Sequence, residues 1–75
     1  MIDAIVTALE SNSVVVTPTE DVDFAKLVGR SASYTDSSDK KWPGKVTAAE
    51  DSGVVIIFDN FPTGLGQGQI VQIDY

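Results

Sequence analysis

Two segments forty residues apart in this chain carry one pattern. Val6-Thr7-Ala8-Leu9-Glu10-Ser11-Asn12-Ser13-Val14-Val15-Val16 aligns with Val46-Thr47-Ala48-Ala49-Glu50-Asp51-Ser52-Gly53-Val54-Val55-Ile56, with identity at six of eleven positions. In each copy, β-forming residues lead into a short polar turn and β-branched residues follow, which is the pattern of a β-hairpin. A helical alternative exists for residues 2–10, where Ile2, Ile5, Val6 and Leu9 share a face. The copy at 46–56 argues against it, because Gly53 ends a turn that a helix would not place there. Two hairpins in 75 residues predict a single small all-β domain spanning residues 1–75.

A domain this short buries only about 60% of its unfolded surface. With no Cys and no His, neither a disulfide nor a structural zinc site can reinforce it. Stability must come from apolar packing, from oligomerisation, or from both. The net charge is −6, with eleven acidic residues against five basic ones. That balance repels a phosphate backbone, so nucleic acid is not an expected partner. Along the sequence the carboxylates are scattered from Asp3 to Asp74. Met1-Ile2-Asp3 has no basic flank, so no signal peptide is expected. The longest apolar run, Val54 to Phe58, is far short of a membrane span. The expected setting is the cytoplasm or a virion, with no membrane contact.

Between the hairpins, Pro18 ends a strand because it cannot donate to a ladder. Thr19-Glu20-Asp21 reads as a helix start, with Thr19 as cap, and Asp23 to Val28 as a short helical turn stopped by a left-handed Gly29. From Arg30 the polarity alternates, with Ala32 and Tyr34 on one face, as in a half-buried strand. Residues 36–41 form a polar loop, and a strand resumes over 44–50. Residues 61–68, with Gly64, Gly66 and Gly68, read as a mobile loop. Residues 69–75 close the chain as a last strand with Val71 and Ile73 on one face.

The second hairpin can be given a register. A three-residue loop, Asp51-Ser52-Gly53, with Gly53 left-handed, sets Glu50 against Val54, Ala48 against Ile56, Val46 against Phe58 and Lys45 against Asp59. Extended outward, it sets Pro43 opposite Phe61 and Trp42 opposite Pro62. Two aromatic rings and two prolines then gather where the paired strands open, as a barrel plug or as a contact patch anchored by Trp42.

The segment Leu27-Val28-Gly29-Arg30-Ser31-Ala32-Ser33-Tyr34-Thr35-Asp36, followed by a polar loop and Gly44-Lys45-Val46-Thr47-Ala48, resembles the small SH3- or Tudor-like barrel within flagellar hook-capping proteins. There a Leu-x-Gly-basic turn leads into a tyrosine-bearing strand, a tight polar turn and a Gly-x-Val strand. The likeness covers residues 27–59, and the loop at 36–41 is longer than the family's turn. It implies a six-stranded barrel used as a building block in extracellular or viral assemblies, without catalysis.

Catalytic chemistry is hard to assemble from this inventory. Without His or Cys, a nucleophile would be a Ser or Thr activated by Lys, or a carboxylate pair. Lys40, Lys41 and Lys45 lie in or beside one exposed loop. Asp21 with Asp23, and Asp36 with Asp39, lack the spacing of a calcium loop and fit capping and turn roles. Gly64-x-Gly66-x-Gly68 precedes a strand where a dinucleotide site needs a helix. No enzyme, cofactor or metal is expected. Tyr34, Trp42, Phe58 and Phe61 offer the composition of a cage for a methylated cation, though Tyr34 and Phe58 are assigned to the core.

In the run Val54 to Phe58 both faces are apolar, since Val55 and Ile57 point away from Val54, Ile56 and Phe58; Val15 repeats this in the first hairpin. A small barrel fills only its interior. The second face is therefore expected to lie under the 20–28 helix or under another chain. The candidate partner-binding residues are Trp42, Pro43, Phe61, Pro62, Val55 and Ile57. The function these features imply is a non-enzymatic structural or adaptor subunit, of a bacteriophage virion or appendage, that binds a protein partner or its own copy. An acidic inhibitor filling a basic nucleic-acid site on a partner, and a Tudor-like ligand reader, are the alternatives.

Overall fold

A computed structural model describes all 75 residues. Six strands, β1 (Ile2–Leu9), β2 (Ser13–Pro18), β3 (Ser31–Thr35), β4 (Lys41–Glu50), β5 (Gly53–Phe58) and β6 (Ile70–Ile73), close into one barrel in the order β1-β2-β5-β4-β3-β6. Every pairing is antiparallel. The only helical element is a 3₁₀ turn, Phe24–Leu27. The fold is the small all-β, SH3-like barrel that the sequence predicts. Alternating inward residues fill its interior: Ala4 and Val6 from β1, Val14 and Val16 from β2, Ala32 and Tyr34 from β3, Val46 from β4, Val54, Ile56 and Phe58 from β5, Val71 and Ile73 from β6.

The two similar segments are both hairpins, and they share a feature that alternation does not reveal. Val6 faces Val16 while Ala8 faces Val15, so Thr7 is an extra residue in β1. Val46 faces Ile56 while Ala48 faces Val55, so Thr47 is an extra residue in β4. Each is a β-bulge, which raises the local twist a small barrel needs to close.

The bulge overturns the sequence-derived register. Glu50 faces Gly53 across a two-residue turn, and Val46 faces Ile56, not Phe58; Gly44 takes the place opposite Phe58, and Lys45 faces Ile57 in place of Asp59. A two-residue turn alone would put Val46 against outward-facing Ile57, and the extra residue at Thr47 restores Val46 to the interior. Gly53 is not left-handed. It is glycine because the β2 backbone at Val16 passes so close that a Cβ would collide with it.

β2 and β5 pair with Val15 directly opposite Val55, which are equivalent positions in the two repeats. A pseudo-two-fold axis therefore passes between them and relates the two halves of the barrel. It extends beyond the hairpins into the loops. Gly29 N–H donates to the Val46 carbonyl at 2.8 Å, and Val46 N–H returns a bond to Arg30 at 2.9 Å. In the other half, Gly68 N–H donates to Val6 at 2.8 Å, and Val6 N–H returns a bond to Gln69 at 2.9 Å. Both glycines have positive φ, 89° and 85°, as this crossing requires. Leu27 and Leu65, one from each loop, are buried in the core. The glycine-rich segment expected as a mobile loop is thus pinned by Leu65 and by buried Pro62.

At the 3₁₀ turn the cap is Asp23, whose carboxylate accepts from Ala25 N–H at 3.1 Å. Thr19, the expected cap, instead bonds the Asp3 carbonyl through its own N–H and hydroxyl. That ties the loop back to β1.

Candidate functional site

The barrel interior holds packed aliphatic and aromatic side chains, so what the protein offers to other molecules lies on its outside. The outer face of the two hairpins carries an in-register row, Ala8–Val15–Val55–Ala48, running across β1, β2, β5 and β4. Val15 and Val55 are half-buried by their neighbours, and Ile57, next outward on β5, is 42% exposed between Ser13 and Lys45. The 3₁₀ turn does not cover this row as expected. It packs at the end of the barrel beside the β4–β5 turn, where Val22 and Phe24 adjoin Ala49 and Glu50, because Leu27 must reach into the barrel mouth.

Trp42, Pro43, Phe61 and Pro62 do not form the two facing pairs that the sequence register gives. Trp42 pairs with Tyr34, Pro43 pairs with Ser33, and the Pro43 carbonyl accepts from Asp59 N–H at 3.2 Å. Phe61 folds back edge-on against Phe58, with centroids 6.3 Å apart and planes at 85°. Pro62 is buried and Pro43 is exposed. The two-residue displacement of register separates the tryptophan side of the mouth from the phenylalanine side.

Trp42 is half-buried against the core and organises the neighbouring loop. Its Nε1–H donates to Asp36 Oδ2 at 3.0 Å, and Asp36 Oδ1 accepts from Ser38 N–H at 2.8 Å and Lys40 N–H at 3.0 Å. These donors, Trp42 foremost, hold the Asp36 carboxyl below its ordinary value. The Lys40 ammonium sits 4.1 Å from the Trp42 ring centroid. With Tyr34 and Phe58 buried and Lys40 on the indole, these rings do not leave an open cage.

The carboxylates scattered along the sequence are partly gathered in space. Asp23, Glu50 and Asp51 line one groove of about 470 Å³ together with Val22, Phe24, Ala25 and Ala49. Sequence reading misses this because Asp23 and Glu50 belong to different elements, joined only when the 3₁₀ turn packs on β4. No three His, Cys, Asp or Glu side chains converge as metal ligands would. No helix is long and apolar enough to cross a membrane.

No known family model matches this chain, and no curated protein is significantly similar to it.

Proposed function

We propose that this barrel is a non-catalytic structural or adaptor subunit that works through its outer surface in a larger protein assembly, with a bacteriophage virion or appendage as the class of assembly. The observation that carries this reading is the apolar row Ala8–Val15–Val55–Ala48 with Ile57 beside it on the outside of a barrel whose inside is already filled. Side chains of this kind on a second face are retained where a partner covers them. The filled interior supports the same reading, because it leaves no enclosed chamber for a small substrate.

The test is the mass of the protein across concentration. Sedimentation velocity of the wild type from micromolar to millimolar should show association, and Ile57→Asp should abolish it while the circular dichroism spectrum is retained. Identical, monomeric sedimentation of both proteins across that range would remove self-association. The adaptor reading would then require a different partner chain that binds wild type and not the variant.

A further inference from the structure

β4 is longer than the strands beside it. Lys41 to Lys45 pair with β3, and Gly44 to Glu50 pair with β5. On the β3 side, Val46 completes the contact by bonding Gly29 and Arg30. Beyond it, Thr47, Ala48, Ala49 and Glu50 have a strand on one side only, and all four are exposed. Val46 turns both of its backbone groups away from β5. The bulge interposes one residue, so Ala49 is the next to do so. The chain thus presents a four-residue strand edge. It carries no Pro or Lys of the kind that usually blocks such an edge.

The pseudo-symmetric half shows what satisfies the first carbonyl of such an edge. There the Gln67 side-chain amide donates to the Thr7 carbonyl at 2.9 Å. Thr7 corresponds to Thr47, and Gln67 corresponds to Val28, which has no side-chain donor and is 44% exposed. The protein satisfies the Thr7 carbonyl with its own amide and offers no such amide to the Thr47 carbonyl.

Beside the open edge lies the groove of about 470 Å³, lined by the apolar Val22, Phe24 and Ala25 and by the carboxylates Asp23, Glu50 and Asp51. We infer that the Thr47–Glu50 edge and this groove bind an extended segment of a partner protein in which an apolar residue is flanked by Lys or Arg. Main-chain bonds to the edge supply a donor to Thr47 and partners for Ala49, and alternate side chains reach the groove. The short side chains of Ala48 and Ala49 leave room for the approach. The three carboxylates select a basic segment and disfavour a second copy of this chain, which carries the same net charge of −6. This surface shares only Ala48 with the outer apolar row and does not include Val15, Val55 or Ile57, so a change at Ile57 separates the two readings.

The probe is a capped hexapeptide of alternating lysine and valine, titrated into ¹⁵N-labelled protein and followed by amide chemical shifts, beside a glutamate–valine peptide of equal length. The expected result is a saturable shift of the 47–51 and 22–25 amides with the lysine peptide and none with the glutamate peptide. Ala49→Pro, which removes the outward N–H, should weaken binding about tenfold or more. The doubly charge-reversed variant Glu50→Lys with Asp51→Lys should do the same through the exposed turn, and serves if the proline variant fails to fold. Ile57→Asp should bind as wild type does. Absence of saturable shifts, equal shifts with both peptides, or shifts centred on Val15, Val55 and Ile57 would overturn the inference.

Discussion

Thr7 and Thr47 make the same hydrogen bond in the two halves of the barrel. The Thr7 hydroxyl donates to the Val15 carbonyl at 3.2 Å, and the Thr47 hydroxyl donates to the Val55 carbonyl at 3.4 Å. Each Thr is the extra residue of a bulge, and the two receiving valines face each other across the pseudo-two-fold axis. The repeated Val-Thr-Ala therefore carries the same bulge in both halves of the barrel.

Thr7→Val and Thr47→Val should each destabilise the protein by about 0.5–1.5 kcal/mol, toward the low end because both sites are exposed. The two losses should be nearly equal, as the symmetry requires. Urea denaturation monitored by tryptophan fluorescence measures both. A loss confined to one site would mean that the two bulges are not energetically equivalent.

Ile57→Asp should change folding stability by less than about 1 kcal/mol, since Ile57 is partly exposed and a new carboxylate would face Lys45. Val54→Asp, on the same strand but fully buried, should prevent folding. Thermal melts of the two variants side by side distinguish the outer from the inner face of β5.

Trp42→Ala should cost about 2 kcal/mol, less than the roughly 3–5 kcal/mol of a fully buried aromatic, because the indole is half-buried. Trp42→Phe keeps most of the ring packing but removes the donor to Asp36, and should cost about 1 kcal/mol. Equal losses for the two variants would show that the hydrogen bond, and not the packing, is what Trp42 contributes.

Acid should weaken the loop that Asp36 organises. Its carboxyl is held below the ordinary value in the folded state by Trp42 Nε1–H and the Lys40 and Ser38 amides. The stabilisation is therefore complete above the unfolded carboxyl pKa, about 3.9, and is lost as pH falls through the lower folded value. Asp36→Asn should lower Tm at neutral pH and flatten the fall of Tm below about pH 4. An unchanged acid slope in that variant would show that Asp36 does not contribute to it.

The sequence by itself determined the two hairpins, the strand with Ala32 and Tyr34 on one face, and a short helical turn ahead of Gly29. All of these follow from short-range periodicity and turn chemistry. It did not determine the register of β4 and β5, because a bulge at Thr47 replaces one small or polar residue with another and leaves the apolar pattern readable in two ways. That choice is made only when the hairpin closes on the rest of the barrel, where Val46 must point inward and Gly53 must lie under the β2 backbone. Leu65 is a core residue in a segment whose glycines read as loose, because its burial depends on the pseudo-symmetric mouth it fills. The acidic groove beside β4 was likewise hidden. Asp23 reaches Glu50 and Asp51 only through the packing of Leu27 into the barrel, a long-range contact that no local pattern encodes.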